Sequence, residues 1–211
     1  MQNGNTTLGQ VNLLALNAGI GPGSSWDDLA SFHTIFDTNL YGVVNGINAL
    51  LPAVKKTALA SAHSAIIITG SKQGITNPPG NVAYNASKAA VKTVAEHLSY
   101  DLRNSGVKVH LLIPGWTFTG LSGGQPGSSK PKPEGAWTPE QVVAFLERQM
   151  SDGVFYILCP DNEVTQEVDG KRILWSAGDI IHGRPPLSRW REEWTDPVKE
   201  WMAKQAAPDA L

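Results

Sequence analysis

VAYNASKAAVKTVAEHLSYDLRNSGVKVHLLIPG, residues 82–115, carries the most regular pattern of this 211-residue chain. Val91, Val94, Ala95, Leu98 and Leu102 recur at steps of three and four, the period of one apolar helix face. Gly106 supplies the stop, and residues 107–113 read as a strand closed by Pro114-Gly115. The same alternation runs upstream. Residues 65–69 form an apolar, β-branched run ending in Gly70-Ser71, and residues 11–16 a shorter one followed at once by Asn17-Ala18-Gly19. Continuous apolar runs of this length are what strands buried on both faces require. Between them, Val43, Val44, Ile47, Leu51 and Val54 recur at helical spacing, with Pro52 expected to kink or end the helix. Ser24 and Ser25 are expected to cap a helix whose first turn holds Asp27 and Asp28. The order strand, helix, strand, helix, strand predicts an α/β fold with a parallel sheet and right-handed crossovers.

Downstream the texture changes. Residues 120–136 are rich in Gly, Ser, Pro and Lys and read as a loop. Thr138 caps a helix that has Pro139 at its first position, and residues 154–158 give a fourth strand. The tail from Asp161 is polar but holds Trp175, Trp190, Trp194 and Trp201. No internal repeat or second domain is visible, so residues 1–211 read as a single domain. A net charge of −2 without Lys/Arg clusters lacks the electrostatic footprint of a nucleic-acid binder. No apolar run reaches membrane-span length, and the N-terminus has neither a basic nor an apolar leader region, so a cytoplasmic protein is expected. Cys159 is the single cysteine, which excludes an intrachain disulfide. The five histidines show no ligand spacing with one another or with Cys159, so no metal site is expected.

Tyr84 and Lys88 lie one helical turn apart and face the same way. An ammonium beside a phenol favours the phenolate and lowers its pKa, which is about 10 when free. Such a tyrosine exchanges a proton with a substrate oxygen near neutral pH. Ser71 ends the preceding strand, at the sheet edge where open α/β folds bind ligands, and its hydroxyl suits the same oxygen. A Tyr-x-x-x-Lys pair alone is a weak signal. Here the strand ends at 17–19, 70–71 and 114–115 converge with it on one crevice.

From residue 11 to about 160, the chain resembles a short-chain dehydrogenase/reductase. The matching stretches are Leu16-Asn17-Ala18-Gly19-Ile20, Thr38-Asn39-Leu40, Ile68-Thr69-Gly70-Ser71, Tyr84-Asn85-Ala86-Ser87-Lys88 and Pro114-Gly115-Trp116-Thr117-Phe118-Thr119. The resemblance implies a catalytic tetrad. Tyr84 is the general acid/base, Lys88 lowers its pKa and binds the nicotinamide ribose, Ser71 orients the carbonyl, and Asn39 holds a water linking Lys88 to solvent. It further implies an NAD or NADP site. Asn17, Ala18 and Gly19 line the adenosine-ribose side, while Pro114, Gly115, Thr117 and Thr119 face the nicotinamide and phosphates. The family's sheet order would be 3-2-1-4-5-6-7, and this sequence matches strands 4–7. The roughly seventy residues with the glycine-rich phosphate loop have no counterpart here. The expectation is therefore an N-terminally truncated, Rossmann-like domain whose first strand is an exposed edge. Residues 120–153 and 161–211 would form a substrate lid and a C-terminal tail. Trp116 and the tail tryptophans favour a hydrophobic or cyclic ketone or alcohol. By resemblance, the helices at 27–56 and 82–104 would make a homodimer or homotetramer. Two other readings remain: a cofactor-independent isomerase, cyclase or dehydratase using the same Tyr-Lys pair, and an inactive relative binding a partner through its open edge.

Overall fold

The structure, a computed structural model, describes residues 9–61, 63–122, 124 and 130–205. Part of the expected 120–136 loop and the end of the tail therefore lie outside the described residues. Four strands, β1 (Leu13–Leu16), β2 (Ser64–Thr69), β3 (Val107–Ile113) and β4 (Tyr156–Leu158), form one sheet in that order. All neighbours are parallel, with Leu16 beside Ile68, Thr69 beside Leu112 and Ile113 beside Leu158. The α/β, Rossmann-like architecture is as expected. The fourth strand is shorter than expected because the Val154 carbonyl is bonded to the His110 ring (2.7 Å), and pairing starts where Leu111 N–H donates to Phe155 O (2.8 Å).

Helices cover the two faces unequally. Leu14, Ile66, Ile68, Val109, Leu111 and Ile113 pack with residues of α2 (Gly42–Ser61) and α4 (Val82–Leu102) into the main core. On the other face Ile67, Leu112 and Ile157 meet Val142 and Leu146 of α5 (Pro139–Ser151). Cys159 is buried there as a small apolar side chain, its thiol pushed up to about 12 mainly by burial. Thr138 caps α5 in a reciprocal box with Gln141.

Two local expectations need correction. Pro52 does not end its helix, which runs on to Ser61. Val54, Thr57 and Ala58 beyond it are buried, and that packing outweighs one lost backbone hydrogen bond. The first helix, α1 (Leu29–Phe36), is capped by Asp28, whose carboxylate accepts from Ser31 N–H, not by Ser24 or Ser25. Residues beyond Asp161 hold two helices, α6 (Gln166–Ile181) and α7 (Thr195–Lys204), with Trp175 packed edge-on to Trp194 and Trp201. A one-turn helix, α3 (Gln73–Thr76), was also invisible to periodicity. Among the described residues no helix is long and apolar enough to cross a membrane.

Candidate active site

The C-terminal ends of the strands and the start of α4 enclose a cleft of about 1010 Å³, at the upper end of the range for small-molecule sites. Gly70 N–H donates to Leu112 O (2.7 Å), which locks the end of β2 to β3 and delivers Ser71 to the rim. Asn81 caps α4 by accepting from Tyr84 N–H at 3.4 Å. Ser24 holds that cap, donating to Asn81 Oδ1 (2.7 Å) and accepting from Ala83 N–H (3.1 Å). The Tyr84 ring and the Ser71 side chain both line the cleft, and Ser71 is near enough to lower the phenol's pKa.

Lys88 is 4% exposed and donates to Thr69 O at 2.8 Å, its Nζ 5.9 Å from the centre of the Tyr84 ring. Burial lowers its pKa to about 8. Burial also raises the Tyr84 phenol above its ordinary value, with the neighbouring Ser71 side chain pulling it back. The direction is opposite to the lowering expected from Lys88. Desolvation of the ring dominates, while the ammonium is bonded to a backbone carbonyl.

Asn39 sits in a π-helical turn, Asp37–Tyr41, between α1 and α2. Such bulges re-aim a side chain without breaking the helix. Fully buried, Asn39 accepts from Ile20 N–H (2.8 Å) and donates to Ile20 O (3.0 Å) and Ser87 Oγ (3.1 Å). Its side chain therefore clamps the loop after β1 to α4. In that loop, Asn17 accepts from Thr69 Oγ1 at 2.8 Å. A Cβ at Gly19 would lie 3.5 Å from both Asn39 Oδ1 and Lys88 Nζ.

Asn17, Ala18, Gly19, Ser71, Tyr84, Lys88, Pro114, Gly115, Thr117 and Thr119 all line the cleft, and Asn39 stands behind its wall. Thr117 Oγ1 donates to Gly115 O (3.2 Å), and Thr119 N–H donates to Ser122 Oγ (2.8 Å). Sequence reasoning missed Lys72 and Gly74. Lys72 lines the cleft next to Ser71, and a Cβ at Gly74 would lie 2.6 Å from the Lys88 carbonyl carbon. Neither belongs to a periodic pattern, and only a polar residue beside Ser71 signalled the first.

The profile of the short chain dehydrogenase family matches residues 1–126. The chain belongs to this family. A curated relative from Chromohalobacter salexigens, sulfoacetaldehyde reductase 2, is 39% identical over 113 residues, 52% of this chain and 44% of that protein. Sulfoacetaldehyde reductase of the same organism is 31% identical over 175 residues, 80% of this chain and 67% of that relative. Among solved structures, a short-chain dehydrogenase/reductase from Burkholderia phymatum in complex with NAD superposes with a TM-score of 0.67 at 27% identity. That match covers 84% of this chain and 69% of the other.

Proposed function

We propose that this short-chain dehydrogenase interconverts an alcohol and a ketone with NAD or NADP, with Tyr84 as general acid/base. The observation that carries the reading is the meeting of Ser71, Tyr84 and buried Lys88 in one cleft, at the C-terminal edge of a parallel sheet. A bound nicotinamide supplies or accepts the hydride. In the reductive direction Tyr84 Oη donates its proton to the carbonyl oxygen while the Ser71 hydroxyl holds that oxygen by a hydrogen bond. Burial keeps the phenol protonated until then. Lys88 would hold the ribose hydroxyls, and its charge favours the phenolate that Tyr84 leaves.

The residues present fit the cofactor on both its adenosine-ribose and its nicotinamide sides. Gly19 has no Cβ, so the approach to Lys88 Nζ stays open, and Asn17 and Ala18 continue the same wall. Pro114 and Gly115 line the opposite, nicotinamide side, and Thr117 and Thr119 would hold phosphates in place of their present bonds to Gly115 and Ser122. Trp116 and Leu121 make the substrate side apolar, which suits a hydrophobic or cyclic ketone or alcohol. The sulfoacetaldehyde named for the two relatives is a small anion, and it is not carried over to this chain. We further read residues 120–153 as a lid over the cleft, anchored where Val142 and Leu146 of α5 pack on the sheet. α2 and α4, whose outer surfaces expose Leu59 and Tyr100, are read as the contact of a homodimer or homotetramer.

Calorimetric titration with NADH and NADPH should show micromolar binding of at least one, and absence of binding at millimolar cofactor would overturn the reading. With cyclic ketones, nicotinamide absorbance reports turnover. Tyr84→Phe should lower kcat by about 10²–10⁴-fold while leaving cofactor affinity intact.

A further inference from the structure

Lys72 follows Ser71 directly, and two carboxylates from the far end of the chain hold its ammonium. It makes a close ion pair with Asp169 and lies 3.4 Å from Asp161 Oδ2. Side-chain exposure is 14% for Lys72, 10% for Asp161 and 3% for Asp169, so the group is largely withdrawn from water. Arg172 approaches Asp169 Oδ1 at 3.7 Å and brings the cluster to two cations and two carboxylates. The cluster presses on the cleft wall. A Cβ at Gly115 would lie 2.7 Å from Asp161 Oδ2 and 2.9 Å from Lys72 Nζ. Trp116 N–H is directed at the same Asp161 oxygen, at 3.5 Å.

Among the described residues lining the cleft, the cations are Lys72 and Lys88. Lys88 is occupied by Thr69 and by its place beside Tyr84. Only Lys72 is placed to attract an anionic substituent on the substrate side, and its charge is already matched. We propose that the Lys72–Asp161–Asp169 cluster makes this cleft select uncharged carbonyl and alcohol substrates over anionic ones. The proposal rests on the oxidoreductase reading above. An entering carboxylate or sulfonate has to displace Asp169 from Lys72, leaving a buried carboxylate with only the longer contact to Arg172, or else approach Asp161 as a like charge. An uncharged ring leaves the ion pair closed and lies beside Trp116 without stripping water from a new charge.

The test compares 4-oxocyclohexanecarboxamide with 4-oxocyclohexanecarboxylate, two ketones of one skeleton and different charge, with the full chain and its preferred cofactor. The wild type should favour the amide in kcat/KM by about tenfold or more. Asp161→Asn keeps the shape but releases part of the Lys72 charge, and should shrink that ratio by about tenfold. Lys72→Met should give the carboxylate no such gain. A wild type that prefers the carboxylate, or an Asp161→Asn ratio equal to wild type in a folded protein, overturns the proposal. Calorimetric binding of the same two ketones gives the ratio without turnover, and equal binding, or binding of neither, also overturns it. Failure to oxidise NADH or NADPH with any ketone overturns only the oxidoreductase reading.

Discussion

A lysine that is 4% exposed and bonded to one carbonyl is a poorly solvated cation, and burial brings the Lys88 pKa from 10.5 to about 8. The unfolded chain keeps this proton up to the ordinary lysine value, whereas the folded chain releases it near pH 8. Between those values the unfolded state binds more protons, so stability rises with pH across the window and is lowest below about pH 8. The full penalty is on the order of 3 kcal/mol. Lys88→Met should therefore melt at or above the wild-type temperature at pH 7, lose that advantage by pH 10, and still abolish turnover. Thermal unfolding at the two pH values checks this, and a variant clearly less stable at pH 7 would show that the ammonium is well solvated by its surroundings. The Tyr84–Lys88 pairing was legible from a spacing of four. The upward push on the phenol was not, because desolvation depends on what the rest of the chain packs around it.

At the level of elements, the site depends on how tightly α3 lies on α4. A Cβ at Gly74 would sit 2.6 Å from the Lys88 carbonyl carbon and 2.8 Å from Ala89 N, both backbone atoms that cannot swing aside. Gly74→Ala must therefore push α3 away from α4, separating Ser71 from Tyr84. A loss of about 1–3 kcal/mol is expected, together with a fall in kcat larger than any loss of cofactor affinity. Denaturant unfolding and steady-state kinetics report the two effects, and wild-type values in both would mean that the helices part without consequence. This contact also shows where sequence reading stopped. The three longer strands are mostly apolar runs and α4 carries an apolar period, and Gly106 marks the break with φ +76°. The helix α3 has four residues, too few for a period. The buried positions of α6 include Asp169 and Asp179, so its inward face reads as polar and the helix is hidden. Ser24 was legible as a capping residue, but the cap it supports belongs to a helix 57 residues away, a pairing that only the fold makes.

Across the whole molecule, the sheet's two faces are closed to different extents. One carries α2 and α4; on the other, α5 packs against residues of β2, β3 and β4. At β1 the pleat therefore separates Leu14, 7% exposed in the main core, from Leu13, 55% exposed, and Ala15, also exposed. Ala15 and Ile67 line the cleft, so the uncovered face continues into the ligand site. Among the described residues β1 has a strand partner only in β2, which leaves its outer backbone edge next to apolar side chains. Unpaired edges of this kind template self-association. A charge at Leu13 meets water, whereas one a single residue along meets the core. Leu13→Lys should therefore reduce concentration-dependent light scattering of the 211-residue chain at an unchanged melting temperature. Leu14→Lys should destabilise it by several kcal/mol, because the ammonium is buried without a partner. If Leu13→Lys unfolds the protein as Leu14→Lys does, that face of β1 is packed rather than open. If scattering is unchanged in a folded Leu13→Lys protein, association proceeds through another surface, such as the Leu174–Ile181 side of α6, where Leu174, Ile180 and Ile181 are all exposed.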